Sequence, residues 1–289
     1  MLRFLSVALA VCVASVQAEA RDTAPLTKLL TADQTRGWEA VGRLDVGGQA
    51  HCTGALISED TVLTAAHCLY DKATGARIPA AKLEFRAGWR NGQALAYRGV
   101  SAVAVHPDYG FLADDRISRV AHDIALLQLD RPVRNGRVTP FEIEARPRKG
   151  AEVVVVSYAH DRREAPSLQE ACHVLARQAA ILVLSCDVDF GSSGSPIFVM
   201  DGNVPKVVSV VSAKADVRGR DVSLGTALSD WVDTLSATLE AGGDPEARTP
   251  IPDAVAPAQV SRTATPETKP TVRSFGSARS SAKFIRLGE

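Results

Sequence analysis

Three short segments carry residue types suited to acyl transfer: Thr64-Ala65-Ala66-His67-Cys68, His122-Asp123-Ile124-Ala125-Leu126-Leu127 and Gly191-Ser192-Ser193-Gly194-Ser195-Pro196. A serine hydroxyl is a poor nucleophile at neutral pH until a base takes its proton. Histidine, with an unperturbed pKa of about 6.5, can take that proton and later hand it to a leaving group. A carboxylate on the far ring nitrogen fixes the tautomer and stabilises the imidazolium. Glycines beside the serine let two backbone N–H groups converge on a developing oxyanion, and losing one such donor typically costs about 2.7–4 kcal/mol. Taken singly, each residue has a plainer reading. His67 would be a packing or surface histidine, Asp123 a strand-start cap and Ser193 a turn serine. The combination in one chain is what points to chemistry.

These segments resemble the histidine, aspartate and serine motifs of the chymotrypsin-like (trypsin-like) serine protease family. The chain order His, Asp, Ser is that family's and not that of the subtilisins or the α/β-hydrolases. GSSGSP stands where the family has GDSGGP. The resemblance runs from about Trp38 to Leu239. It implies Ser193 as nucleophile, His67 as the base and Asp123 as its orienting carboxylate. The Gly191 and Ser193 amides would form the oxyanion hole, leaving Ser192 and Ser195 as framework. Cys52-Thr53-Gly54-Ala55-Leu56-Ile57 resembles the strand before the histidine, whose cysteine bridges to the one after it, here Cys68. Val105-His106-Pro107-Asp108-Tyr109 resembles the loop before the aspartate strand. The implied fold is all-β: two antiparallel six-stranded β-barrels with a C-terminal helix, and the active site in the cleft between the barrels.

The departures narrow the branch. Ser192 replaces the aspartate that, in the zymogen branch, pairs with a newly cut N-terminal amine, and no IVGG-like start is present. Both halves of that switch are missing together, which places the chain nearer the bacterial branch that includes the glutamyl endopeptidases. Asp187 stands where trypsin-like members carry the carboxylate at the base of the primary pocket, which implies cleavage after Arg or Lys. Asp189 competes for that role. Ser212 and Ala213 would form the later pocket wall. That stretch lacks both the glycines of trypsin-like members and the histidine of the glutamyl-specific ones, and Ala213 would narrow the pocket.

The elements needed to position these residues are legible as short β-branched runs bounded by Gly, Pro, Asp or Asn. They include Cys52–Ile57, Thr61–Ala65, Leu83–Ala87, Val100–Val105, Ile124–Leu129, Val153–Ser157, Ile181–Ser185, Pro196–Val199 and Val207–Val211. A helical period appears at Ser229–Glu240, where Trp231, Val232, Leu235 and Leu239 share a face. Many short strands and one closing helix suggest an antiparallel barrel or sandwich.

Composition sets the surroundings. The chain has 289 residues, 46% hydrophobic and 23% charged, with a formal net charge of zero. Without a basic excess there is no electrostatic case for nucleic acid. Met1-Leu2-Arg3, the apolar run Phe4–Val16 and Val16-Gln17-Ala18 have the three-part layout of a secretory signal peptide. Residues 1–18 are therefore expected to be a signal, 19–37 an N-terminal extension, 38–240 the protease domain, and 241–289 a disordered Pro/Ser/Thr-rich tail. Export, to the periplasm or the medium, is the expected destination, with no membrane segment left. Cys52, Cys68, Cys172 and Cys186 then remain, an even count that reads as two disulfides. Three connectivities are possible. The sequential one closes two short loops worth roughly 3 kcal/mol each. No metal or cofactor is implied, the expected partner is a protein or peptide substrate, and a monomer is expected. A competing reading is an inactive or tail-autoinhibited homologue that acts by binding. In it, Arg286 of the apolar-basic segment Ala282–Leu287 enters the cleft as a substrate mimic.

Overall fold

The structure, a computed structural model, describes residues 24–48, 50–144, 147–189, 191–228, 231–248 and 285–286. The expected signal peptide and nearly all of the tail beyond Arg248 lie outside the described residues.

Strand β1 (Thr27–Lys28) is followed by β2 (Val41–Val46), β3 (Ala50–Leu56), β4 (Thr61–Thr64), β5 (Leu83–Ala87), β6 (Ala96–Val105) and β7 (Ala125–Leu129). The last six close into an antiparallel barrel in the order β2-β3-β4-β7-β6-β5. Next come β8 (Glu142–Ile143), β9 (Glu152–Ser157), β10 (Ser167–Gln178), β11 (Ile181–Leu184), β12 (Pro196–Asp201), β13 (Val204–Val217) and β14 (Arg220–Ala227). Six of these form a second barrel, β10-β11-β14-β13-β12-β9, closed by pairing of β9 with β10. Strand β1 pairs with the edge of β10, β8 lies parallel to β13, and β15 (Ile285–Arg286) also lies parallel to β13. The two barrels expected from the resemblance are present.

The valine run of β9 shows how the barrels meet. Alternate side chains point to opposite faces of a strand. Val153 and Val155 fill the interior of the second barrel. Val154 and Val156 join the core of the first, together with Tyr158, Phe198 and Val210. Both faces are therefore dry, which is why the run does not alternate with polar residues. Trp38 seals the same junction, its ring 5.1 Å from that of Phe198.

Two disulfides join Cys52 to Cys68 and Cys172 to Cys186, the sequential pairing. Helix α1 (Arg116–Ala121) interrupts the connection from β6 to β7, with the Asp115 carboxylate capping Ile117 N–H and Ser118 N–H. Helix α2 (Val232–Glu240) buries Leu235 and Leu239 against the first barrel. Ordered packing continues past it: the Asp244 carboxylate accepts from Arg77 Nη2 at 2.6 Å and from Val105 N–H at 3.0 Å. The N-terminal extension also packs on the barrels from Thr27 onward, burying Leu29 and Thr35. No helix among the described residues is long and apolar enough to cross a membrane.

Candidate active site

His67 sits in a tight 3-10 turn, Ala66–Leu69, at the end of β4. Ala65, Ala66 and Leu69 are fully buried, and the Cys52–Cys68 bridge ties the turn back to β3. The small alanines let the turn press against the barrel wall, which leaves the imidazole as the side chain facing out. Asp123 stands just ahead of β7 and is 3% exposed. Its Oδ1 accepts the His67 backbone N–H at 2.8 Å, and its Oδ2 accepts from His67 Nδ1 at 2.6 Å. The Ser212 hydroxyl donates to the same Oδ2 at 2.5 Å. A carboxylate this buried is tolerable only when its lone pairs are satisfied, and three donors do that here. An ionised carboxylate can only accept, so Nδ1 carries a ring proton, and in the neutral imidazole the lone pair is then on Nε2. The Tyr109 hydroxyl is held protonated, its pKa raised by burial and by the Asp123 charge.

The Ser193 turn depends on two glycines at positive φ, Gly191 at 89° and Gly194 at 75°. Gly194 is also a matter of space, because a Cβ there would collide with Thr64 Oγ1 and the Thr53 carbonyl. Its N–H donates to Val211 O at 2.8 Å, and Val211 N–H returns a bond to Ser195 O at 2.9 Å. The turn is thus stitched to β13. The three serines separate by exposure: Ser192 is 1% exposed and Ser195 0%, whereas Ser193 is half-buried. The Ser192 hydroxyl meets Asp189 N–H at 3.4 Å, so this position needs no cation beside it. Among the described residues, neither Gly191 N–H nor Ser193 N–H donates to another group of the chain. Nor does a hydrogen bond join Ser193 Oγ to His67 Nε2, which has Cys68 Sγ at 3.9 Å. Such contacts commonly tighten only once substrate is bound.

The residues expected to form the pocket are placed differently. The Asp187 side chain is 67% exposed, with Lys214 Nζ at 4.0 Å, rather than at the floor of a cavity. Ser212 spends its hydroxyl on Asp123. Ala213 is half-buried and lines, with Ser212, His67, Tyr109, Phe111 and Arg119, a cleft of about 680 Å³ on the α1 side. Neither the Ser212–Asp123 bond nor this cleft was anticipated from sequence. The long α1 connection between the aspartate motif and Tyr109 was the available signal for the cleft.

Two groups of potential metal ligands lie close together. In the first, Cys52 and Cys68 are bridged to each other and offer no thiolate. In the second, His106 Nδ1 accepts Asp108 N–H at 3.1 Å, which puts the ring proton on the buried Nε2.

The trypsin family model, described simply as "Trypsin", matches residues 31–232, most of the chain. The chain belongs to the trypsin family. Among curated relatives, coagulation factor IX of Cavia porcellus is 33% identical over 103 residues, 34% of this chain and 32% of its own length. A glutamyl endopeptidase of Bacillus licheniformis is 26% identical over 148 residues, 51% of this chain and 45% of that protein. Serine protease 23 of Homo sapiens is 26% identical over 164 residues, covering 51% and 43%. The chain thus matches less than half the length of each. A solved Glu endopeptidase in complex with MPD superposes with a TM-score of 0.62 at 18% identity, covering 75% of this chain and 96% of that one. Mouse neuropsin gives 0.57, also at 18%, covering 73% and 98%. These structural likenesses establish the chymotrypsin-like fold, and the family match with the sequence likeness to a glutamyl endopeptidase places the chain among chymotrypsin-like serine proteases near that branch.

Proposed function

We propose that the protein is an exported endopeptidase working through Ser193, His67 and Asp123. The observation that carries this is the buried Asp123 carboxylate, which takes His67 Nδ1–H and leaves Nε2 as a base. As Ser193 Oγ bonds to the scissile carbonyl carbon, its proton passes to Nε2. The carbonyl π pair moves onto oxygen, where the Gly191 and Ser193 N–H groups receive it. Collapse breaks the C–N bond, and His67 returns the proton to the leaving amine. Water then repeats the sequence on the acyl ester and regenerates the Ser193 hydroxyl. Export is supported by two disulfides, which persist in oxidising compartments. Incubating the oxidised full chain with an unfolded protein and sequencing the new termini tests this. Cleavage that disappears in Ser193→Ala supports the reading, and equal cleavage by that variant sinks it.

Preference for Arg or Lys before the scissile bond would run through Asp187. A substrate cation would have to displace Lys214, which has Asp221 at 3.0 Å as an alternative partner. The exchange is feasible, but solvent-exposed ion pairs contribute little. A basic preference from this source is therefore modest.

A second reading, a latent enzyme, is favoured by the pairing of Ile285–Arg286 with Ala215–Asp216. This puts tail backbone on the strand that carries Ser212 and Ala213. Proteolytic removal of the tail should then raise turnover, and unchanged turnover discards this reading.

A further inference from the structure

We infer that Thr53 is a positioning residue for the oxyanion site: from the first barrel, it fixes the orientation of the Ser193 amide in the second. This rests on the reading that Ser193 is the nucleophile. Thr53 lies on β3 and is 0% exposed. Its backbone N–H donates to Ser193 O at 2.9 Å, and its hydroxyl lies 2.9 Å from Gly191 O. The same hydroxyl meets Tyr158 N–H at 3.0 Å. A backbone N–H can only donate, so the hydroxyl proton must point at Gly191 O. Its own carbonyl accepts from Thr64 Oγ1 at 2.9 Å, three residues before His67.

The two carbonyls that Thr53 grips belong to the peptide planes on either side of the Ser192–Ser193 peptide. That peptide carries the Ser193 N–H, which donates to no other group among the described residues. Gly191, at positive φ, has no side chain to limit its rotation. Holding its carbonyl therefore removes a rotation that would swing the neighbouring amides away from the oxyanion. The γ-methyl of threonine adds to this by restricting χ1, so the hydroxyl is pre-aimed. Next to it on the same face of β3, His51 Nε2 donates to Tyr158 O at 3.0 Å, steadying the peptide against which the hydroxyl is set. Burial pushes the His51 pKa down, with Arg43 adding to the effect.

The test uses the full oxidised chain and the rate of phosphonylation by a fluorophosphonate, measured against pH per folded molecule. Thr53→Val keeps the shape and both backbone bonds but leaves Gly191 O and Tyr158 N–H without the hydroxyl. Its limiting rate should fall by about tenfold to a hundredfold, the size expected of a small misplacement. The apparent pKa of the rate should not move, because His67 and Asp123 are untouched. Thr53→Ser should restore most of the rate. A Val variant as fast as the parent, a Ser variant as slow as Val, or a shifted apparent pKa overturns the inference. If Thr53→Val does not fold, Thr53→Ala, with space for a bridging water, must show an intermediate loss, and parent-like rates there overturn it equally. A parent chain that does not react fails the Ser193 reading itself, and that outcome is separate from any difference among the variants.

Discussion

Asp123 and Asp187 are both carboxylates that the sequence assigns to one active site, and the fold treats them in opposite ways. Asp123 is buried under three donors drawn from two barrels. Asp187 is mostly in water, with a lysine at the limit of contact. The difference separates two tasks. The acid–base wall is built from short, dry, mutually dependent bonds, so a change there propagates to the chemistry. Asp187 and Lys214, the proposed specificity determinants, are exposed charges that salt screens and water replaces. They can be altered with little cost to fold or turnover.

The largest effect is expected at Asp123. Asp123→Asn should keep the fold but present the wrong hydrogen-bonding partner to Nδ1, and kcat should drop about ten-thousandfold, as in triads of this type. A drop below tenfold would mean that Asp123 is only a structural cap. Removing the Cys52–Cys68 bridge, which closes a separation of 16 residues, should lower stability by about 3 kcal/mol in a denaturant titration. An unchanged midpoint would show that the β3–β4 wall holds the His67 turn without it. Ser212→Ala removes one charge-assisted bond worth about 1.5–3 kcal/mol, so kcat should fall roughly tenfold to a hundredfold with KM little changed. Asp187→Asn should have the smallest effect. It should reduce any preference for Arg or Lys peptides by less than about fivefold and lose even that at high salt. A larger change would return Asp187 to the centre of specificity.

A further prediction sharpens the contrast between buried and exposed groups through pH. Burial, with His122 nearby, holds the His106 pKa down to about 4. Its neighbours are His122 and Trp231 on the packed rings and Asp108 on its own loop. The folded form resists protonation while the unfolded chain accepts it near 6.5, so this group supports stability above about 6.5 and withdraws that support as pH falls toward 4. Melting temperatures between those limits should fall more steeply in the parent than in His106→Gln. Parallel slopes would assign the acid loss to other groups.

The strands around His67, Asp123 and Ser193 were readable because their apolar runs are short and cleanly bounded. Leu83–Ala87 alternates buried and half-buried residues as a half-exposed strand should. The longest strand of the β9–β10 wall, Ser167–Gln178, was not legible. Its pairing with β9 shifts register between Gln169 and Cys172, and Ala171 sits at a φ of 54°, so the period of two is broken midway. Strand β14 hid for a related reason. Ser223 and Thr226 are buried there, and Thr226 Oγ1 donates to Val120 O at 2.6 Å, so polarity did not report exposure. Helix α1 is six residues, too short to display a 3.6-residue period. At the site, residue types and their order pointed to His67, Asp123 and Ser193. Ser212 was read as pocket wall, but its bond to Asp123 and the role of Thr53 escaped, because a hydroxyl carries no local signature when its partner is 89 or 138 residues away.

The most direct measurement is fluorophosphonate labelling of the oxidised chain from residue 21 onward, with the modified residue located by peptide mass. Stoichiometric modification of Ser193 is expected, abolished in Ser193→Ala and strongly slowed in Asp123→Asn. Label on Ser192 or Ser195, or none on a folded chain with both disulfides intact and its tail removed, would contradict the assignment of Ser193 as nucleophile.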